Sequence, residues 1–188
     1  MVRSFSTRPV PPEVLDRVLA NAQRAPSAGF TQGWAFVVLE GDGTELFWRH
    51  VAEPAWRASP TWAGLLRAPV IILPLSSEQA YRDRYAEPDK AGVTTDWPVP
   101  YWDVDTGMAV LLMLLTAVDA GLGACFVRIG RGETGLVAEL EVPPTYRPIG
   151  AVALGFADGQ DHPSSSLSRG RRPAAEVVHY GKWRAGRH

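Results

Sequence analysis

The apolar residues Val14, Leu15, Val18, Leu19 and Ala22 recur at the three- and four-residue spacing of an amphipathic helix. Pro11, Pro12 and Glu13 stand where a first helical turn takes proline and acid, and Pro26 lies beyond the last apolar position, so the spacing predicts a helix that ends by Pro26. Four compact apolar runs, Trp34 to Leu39, Pro69 to Leu75, Ala124 to Ile129 and Ile149 to Leu154, read as strands, the first closed by Gly41-Asp42-Gly43. Between the second and third, a polar, proline-interrupted and aromatic segment from Ser76 to Trp102 leads into Asp103-Val104-Asp105-Thr106, any of which suits a helix cap. The helix that follows is expected to reach Ala120. Its middle, Met108 to Leu115, is apolar all round and must be covered on every side, which implies a second copy of the chain. From Asp158 to Arg172 the chain is polar and rich in Gly, Ser and Arg, a connection of the functional or flexible kind. Apolar residues return after Pro173, so residues 1–188 read as one domain with a polar loop over 158–172 and a docking tail over 173–188.

Composition narrows this picture. A chain of 188 residues with 46% hydrophobic and 21% charged content has enough material for one ordinary core. A formal net charge of −1 and a pI near 6.4 give no basic field to hold nucleic acid or an anionic membrane. Met108 to Leu115 is far shorter than a membrane span of about 20 residues, and the start carries no long apolar leader, so a cytoplasmic address is expected. The one cysteine, Cys125, sits in an apolar run and reads as core. Of nineteen basic residues only Lys90 and Lys182 are lysine. Arginine's planar fork suits phosphate and carboxylate, although a GC-rich genome produces the same skew. Of the seven tryptophans, Trp56, Trp62, Trp97 and Trp102 fall in the least regular part of the chain, where they serve either as walls for flat ligands or as caps on the core.

The catalytic motifs are few. Gly130-Arg131-Gly132-Glu133-Thr134-Gly135 fits the dinucleotide pattern G-x-G-x-x-G, with Asp158 where a ribose-binding acid would be sought. The helix after it has room only for Leu136 to about Glu141 before Pro143-Pro144, too short for a crossover between parallel strands, so a Rossmann unit is disfavoured. His50, His162, His179 and His188 have no ligand spacing, and no metal site is expected. No G-x-S-x-G elbow is present. The chain therefore points to a borrowed cofactor or to no catalysis at all.

Four ordered pieces decide between these. Arg3-Ser4-Phe5-Ser6 with Pro9-Val10-Pro11 is followed, after the first helix, by Ala25-Pro26-Ser27-Ala28-Gly29-Phe30-Thr31-Gln32-Gly33-Trp34. The apolar helix then runs into Gly121-Leu122-Gly123-Ala124, Tyr146-Arg147-Pro148 precedes the last strand, and Arg169-Gly170-Arg171-Arg172-Pro173 precedes Glu176-Val177-Val178 and Trp183. In this order and spacing the chain resembles the nitroreductase family over nearly its whole length.

The resemblance implies an α+β fold with a mainly antiparallel sheet flanked by helices, in an intertwined homodimer holding two flavins at its interface. It implies FMN as cofactor, NADH or NADPH as reductant, and a small aromatic, quinone or nitro acceptor reduced by a ping-pong mechanism with no catalytic side chain. By the same resemblance Arg3 lies near the ribityl chain and pyrimidine edge, and Pro26, Ser27 and Ala28 offer amides and a hydroxyl to the ring. Gln32 anchors that loop, Gly121 and Gly123 let backbone approach the flavin, and Arg169 and Arg171 hold its phosphate. Phe30, Trp97 and Trp102 are expected to shape the acceptor pocket. The sequence departs from its relatives in lacking an arginine just upstream of Arg3, in Phe30 for the usual asparagine and in Gly33 for the usual proline. Two other readings stay open: a flavin-storing protein of the same fold, and an oxidoreductase for a dedicated metabolite, with deazaflavin or with flavin itself as substrate.

Overall fold

The first helix, α1 (Pro12–Ala22), forms where the apolar spacing places it, with proline at its start and Leu15, Val18 and Ala22 buried. It opens a computed structural model in which residues 1–93, 95–162 and 164–183 are described. A short 3-10 turn (Ala28–Phe30) leads to strand β1 (Trp34–Glu40). Gly41, at φ 53, then redirects the chain into α2 (Asp42–Val51), where the sequence reading had only a turn. Two single turns, α3 (Pro54–Arg57) and α4 (Ala63–Leu66), precede β2 (Val70–Ser76), which is buried along its whole length.

The segment after β2 is less irregular than its composition suggests. It contains α5 (Glu78–Tyr85), started by Ser77, whose hydroxyl accepts the Ala80 amide. The long helix α6 (Tyr101–Asp119) begins behind Pro100, so neither Asp103 nor Asp105 caps it. It ends in a Schellman turn: Gly121 takes φ 73, the Leu122 amide donates to the Ala117 carbonyl at 2.8 Å and the Gly121 amide to Val118 at 3.0 Å. Then follow β3 (Gly123–Val127), α7 (Glu133–Glu139), β4 (Arg147–Pro148), β5 (Ala151–Gly155) and the short α8 (Ala174–Val177).

The sheet is antiparallel throughout, in the order β1-β2-β5-β3, with β4 beside the end of β2. Because β3 and β5 run antiparallel, the glycine-rich turn before α7 serves no parallel crossover, and the Rossmann alternative falls. Strand alternation sends Val70, Ile72, Ala124, Val152 and Leu154 toward α1 and α6, while Ile71, Leu73, Cys125 and Ala153 face a second core with Phe47, Trp48 and Leu136.

By length and composition α6 is long and apolar enough to cross a membrane, although the apolar stretch within it is not. It packs instead against α1 and the sheet, burying Ala109, Val110, Met113 and Ala117. Its other face leaves Val104, Leu111, Leu115 and Val118 exposed, the last at 68%. In the described part of the tail Val177, Val178, Tyr180 and Trp183 are exposed. Residues 184–188 of the expected tail, His188 among them, lie outside the described residues.

Candidate functional site

The sequence-predicted residues fall into two groups at opposite ends of the sheet. Register fixes the ends: Trp34 faces Ser76 at one, while at the other Glu40 faces Val70, Val70 faces Leu154, and Leu154 faces Ala124.

At the second end the N-terminal segment lies across the strand tips. The Val2 amide donates to the Ala124 carbonyl at 3.0 Å and the Ser6 amide to Phe156 at 2.9 Å. Gly123 leaves room for this, since a Cβ there would come within 2.8 Å of the Val2 side chain. Beside the segment opens a cavity of about 610 Å³, lined by Arg3, Ser4, Trp62, Arg67, Asp161 and His162 among others. Its charges are balanced from within. Asp158 accepts from the Gln160 amide at 2.8 Å, the Ser4 hydroxyl at 2.8 Å and the Arg67 guanidinium at 2.6 Å. These donors, the Gln160 amide foremost, hold the Asp158 carboxyl below the usual aspartate range. Asp161 accepts the Arg3 amide at 3.0 Å. Behind Arg3, burial pushes the Cys125 thiol up while the Arg3 charge opposes it, in keeping with a core cysteine. Ser164 and Ser165 border the cavity. The 3-10 turn they open ends at Arg169, and both Arg169 and Arg171 are exposed, with no hydrogen-bond or ion-pair partner among the described residues. Arg8 lies over the Phe156 ring at 3.9 Å, outside the cavity wall.

At the first end, the loop after α1 is wound through positive φ at Gly29, Phe30 and Gln32. Such a conformation costs about 1 to 2 kcal/mol for each side-chain-bearing residue, so it needs holding. The Ala28 amide donates to Asp105 at 2.8 Å, the Gln32 amide to the Ser27 hydroxyl at 3.0 Å, and Arg84 Nε to the Gly29 carbonyl at 3.0 Å. The same Asp105 oxygen accepts the Tyr81 hydroxyl at 2.5 Å, and burial, aided by that carboxylate, raises the Tyr81 hydroxyl far above its ordinary range. The ring of Tyr81 explains Gly33, where a Cβ would stand 2.6 Å from it. Trp102 packs edge-on to Tyr81 and to Trp97, and Trp97 to Tyr85. Phe30 is 75% exposed beside this cluster.

Thus the structure groups Arg3 with Gly123 and the Gly121 turn, and Pro26, Ser27, Ala28, Gln32 and Phe30 with Trp97 and Trp102. It does not bring the two groups together: Asp105 and Asp119 are separated by about 20 Å along α6 at 1.5 Å per residue. Sequence reasoning missed Arg67 and Asp161 as cavity residues, Asp158 as the acid that holds Arg67, and Asp105 and Tyr81 as supports of the loop. Asp105 was visible only as a possible cap, and nothing in the chain marks Tyr81. Among the described residues no cluster of His, Cys, Asp and Glu could hold a metal ion.

Solved structures share this architecture. A nitroreductase family protein from Clostridium difficile 630 superimposes with a TM-score of 0.72 at 22% identity, covering 97% of this chain and 93% of that one. An oxidoreductase containing FMN gives 0.72 at 24% identity over 98% and 89%, and an FMN-dependent nitroreductase from Clostridium difficile R20291 gives 0.67 at 20% over 97% and 94%. At these identities the likeness establishes the α+β fold, with its antiparallel sheet flanked by helices. The nitroreductase family model matches residues 1–156, which takes in every strand and both ends of the sheet and leaves Arg169 and Arg171 outside. With a match over most of its length, the chain belongs to the nitroreductase family, whose members include flavin-dependent oxidoreductases.

Proposed function

We propose that the protein is an FMN-dependent oxidoreductase that takes hydride from NADH or NADPH and passes it to a small aromatic, quinone or nitro acceptor in a ping-pong exchange. The observation that carries this reading is the cavity beside Arg3, about 610 Å³ and walled by Trp62, in a chain of this family. Its size lies within the range of small-molecule sites. When bound, FMN would supply the ring that accepts hydride and then gives it up.

The donor set fits that cofactor. Arg3 and Ser4 would meet the ribityl chain and pyrimidine edge. Arg67 is held by Asp158, so the phosphate charge falls to Arg169 and Arg171, whose guanidiniums have no other partner among the described residues. Tyr81 stays protonated and one oxygen of Asp105 takes both the Ala28 amide and the Tyr81 hydroxyl, so the loop end would orient and shield.

The separation of the two ends supports a homodimer. Two α6 helices packed antiparallel on their Val104, Leu111, Leu115 and Val118 faces would set the loop end of one protomer against the cavity end of its partner. Ser27 and Gln32 would then meet the ring from the partner's side, and Phe30, Trp97 and Trp102 would wall the acceptor. The exposed tail gains a surface to dock on in the same assembly, and the nicotinamide reductant places the reaction in the cytoplasm.

The test is direct. Protein purified from cells is expected to be yellow, to release FMN on denaturation and to bleach within seconds when mixed anaerobically with NADH or NADPH. A colourless preparation that takes up no added FMN overturns the flavin reading. A yellow one that no nicotinamide bleaches over minutes overturns the reductase reading alone and favours flavin storage.

A further inference from the structure

Between α5 and α6 the described residues include one 3-10 turn, Pro88–Lys90, and no other helix or strand, yet Trp97 lies there. A segment without a ladder depends on side chains to hold its place. The holding contacts converge on two consecutive residues at the end of α5. Arg84 forks onto Asp89, Nη1 donating to Oδ1 and Nη2 to Oδ2, both at 2.7 Å, and Nη1 also reaches Glu87 at 3.1 Å. Its remaining nitrogen, Nε, donates to the Gly29 carbonyl at 3.0 Å, in the loop that carries Phe30. Tyr85 faces the same two segments. Trp97 packs edge-on to its ring at 5.3 Å and Lys90 Nζ lies 5.4 Å from its centroid, while a Cβ on Gly29 would stand 2.9 Å from its Cε2. The Arg84 side chain is only 23% exposed. One guanidinium thus ties the strained loop to the irregular segment, a task for its planar set of donors and not for the single ammonium of lysine.

We infer that Arg84 is a positioning residue for the acceptor: by fixing Gly29 and Asp89 to one fork it sets the gap between Phe30 and Trp97, and with it the size of flat acceptor that fits. This rests on the reading of Phe30 and Trp97 as acceptor walls. The Phe30 ring is 75% exposed and has a free face to offer, but its backbone stands at φ 53. Such a conformation persists only while the surroundings hold it, and the carbonyl just before Phe30 is the one that Arg84 takes. On the other side, the Lys90, Ala91 and Val93 amides close local turns onto Glu87, Pro88 and Lys90, so they do not tie the segment to the rest of the protein. The fork does. Asp105 and Ser27 hold the loop independently, so opening the fork relaxes the gap without undoing the loop. A fixed wall is organised before the acceptor arrives, whereas a loose one must be ordered at the expense of binding.

The experiment compares the purified wild type with Asp89→Ala, Arg84→Lys and the double variant. Asp89→Ala opens the fork but leaves the Gly29 hydrogen bond, and Asp89 is 59% exposed, so its loss leaves the core untouched. Hydrogen exchange is the first readout: the Lys90, Ala91 and Val93 amides should exchange about five- to tenfold faster in Asp89→Ala, with those of α5 unchanged. Steady-state kinetics with 2,5-dimethylbenzoquinone and 9,10-phenanthrenequinone is the second. The better of these two acceptors should show a KM raised about threefold or more at unchanged kcat, because the wall and not the chemistry has been loosened. The double variant should be no worse than Arg84→Lys, since both changes break one fork. Unchanged exchange, additive effects, or a fall in kcat with KM unmoved overturns the proposal and leaves the flavin reading intact. Flavin that no nicotinamide reduces overturns the reductase reading instead, and the acceptor gap with it.

Discussion

The two ends of the sheet are built on opposite plans. At the loop end every polar group that shapes the backbone is answered within the protomer: Asp105 takes the Ala28 amide and the Tyr81 hydroxyl, Ser27 takes Gln32, and Arg84 holds Gly29. At the cavity end Asp158 neutralises Arg67, while Arg169 and Arg171 are exposed and have no partner among the described residues. One end is finished before any ligand arrives, whereas the other has cations waiting for an anion. The difference predicts that damage at the loop end is read as lost stability, and damage at these two arginines as lost ligand.

The sharpest way to break the comparison is Asp105→Ala. It leaves the Ala28 amide and the buried Tyr81 hydroxyl without their acceptor at about 1 to 3 kcal/mol each, so a loss of about 3 kcal/mol or more is expected in urea unfolding. Asp105→Asn keeps an acceptor oxygen and should recover part of it. A neutral outcome for Asp105→Ala would mean that the loop is held by something other than this carboxylate.

Arg171→Ala tests the opposite end. One charged hydrogen bond to phosphate contributes about 1.5 to 3 kcal/mol, so FMN affinity should fall about ten- to a hundredfold while urea unfolding of the flavin-free protein stays put. Riboflavin, which has no phosphate, should bind the wild type weakly and the variant no worse. Raised salt should deepen the FMN deficit, since Arg169 and Arg171 are exposed. Equal losses for both flavins would show that Arg171 supports the fold and that the phosphate is held elsewhere.

How far the chain announces these plans depends on which signals are local. The apolar period of α1 was legible because it buries one face, the four strands and the body of α6 because each is a compact apolar run, and the short run after Gly132 was enough to set aside a parallel crossover. The helix α2 was hidden by Gly41 and Gly43, which read as a turn although Phe47 and Trp48 carry its buried side. The helix α5 was hidden because Tyr81 is its one buried residue, so no apolar period exists to be seen, and only Ser77 as cap and the Glu78–Arg82 pair mark it. Asp105 looked like a cap because a cap and a buried tertiary acceptor use the same side chain, and only the donors that reach it from Tyr81 and Ala28, distant in sequence, separate them. The family's motif residues were found at both ends, but their division between the ends is a property of the sheet register and of the length of α6. No local pattern contains it.

A gentler test of the loop end is Gly33→Ala. The added Cβ would stand 2.6 Å from the Tyr81 ring, which lies in the buried core, so a cost of about 1 to 2 kcal/mol is expected as the ring is forced aside. If the strain enters through Tyr81, the double variant with Tyr81→Leu should show a coupling between the two sites, measured as non-additive unfolding free energies. Simple additivity would mean that the glycine is needed for the loop backbone instead.

The smallest expected effect is also the one in which the two plans meet. The Asp158 carboxyl is held below the usual aspartate range by the Gln160 amide, the Ser4 hydroxyl and Arg67. A depressed folded value means that its contribution to stability is fully present above the ordinary aspartate range and is lost as the pH falls through the folded value. Below about pH 4 the wild type should therefore lose stability more steeply than Asp158→Asn, which has no such proton to take up, and above it the wild type should be the more stable of the two. The same substitution releases Ser4 and Arg67, which line the cavity, and removes the negative charge that neutralises Arg67. FMN should then bind Asp158→Asn at least as tightly as the wild type at neutral pH, although the protein itself has become less stable. Opposite movement of fold and ligand is what an internally neutralised cation predicts, and a parallel loss of both would show that Asp158 organises the cavity rather than competing with its ligand.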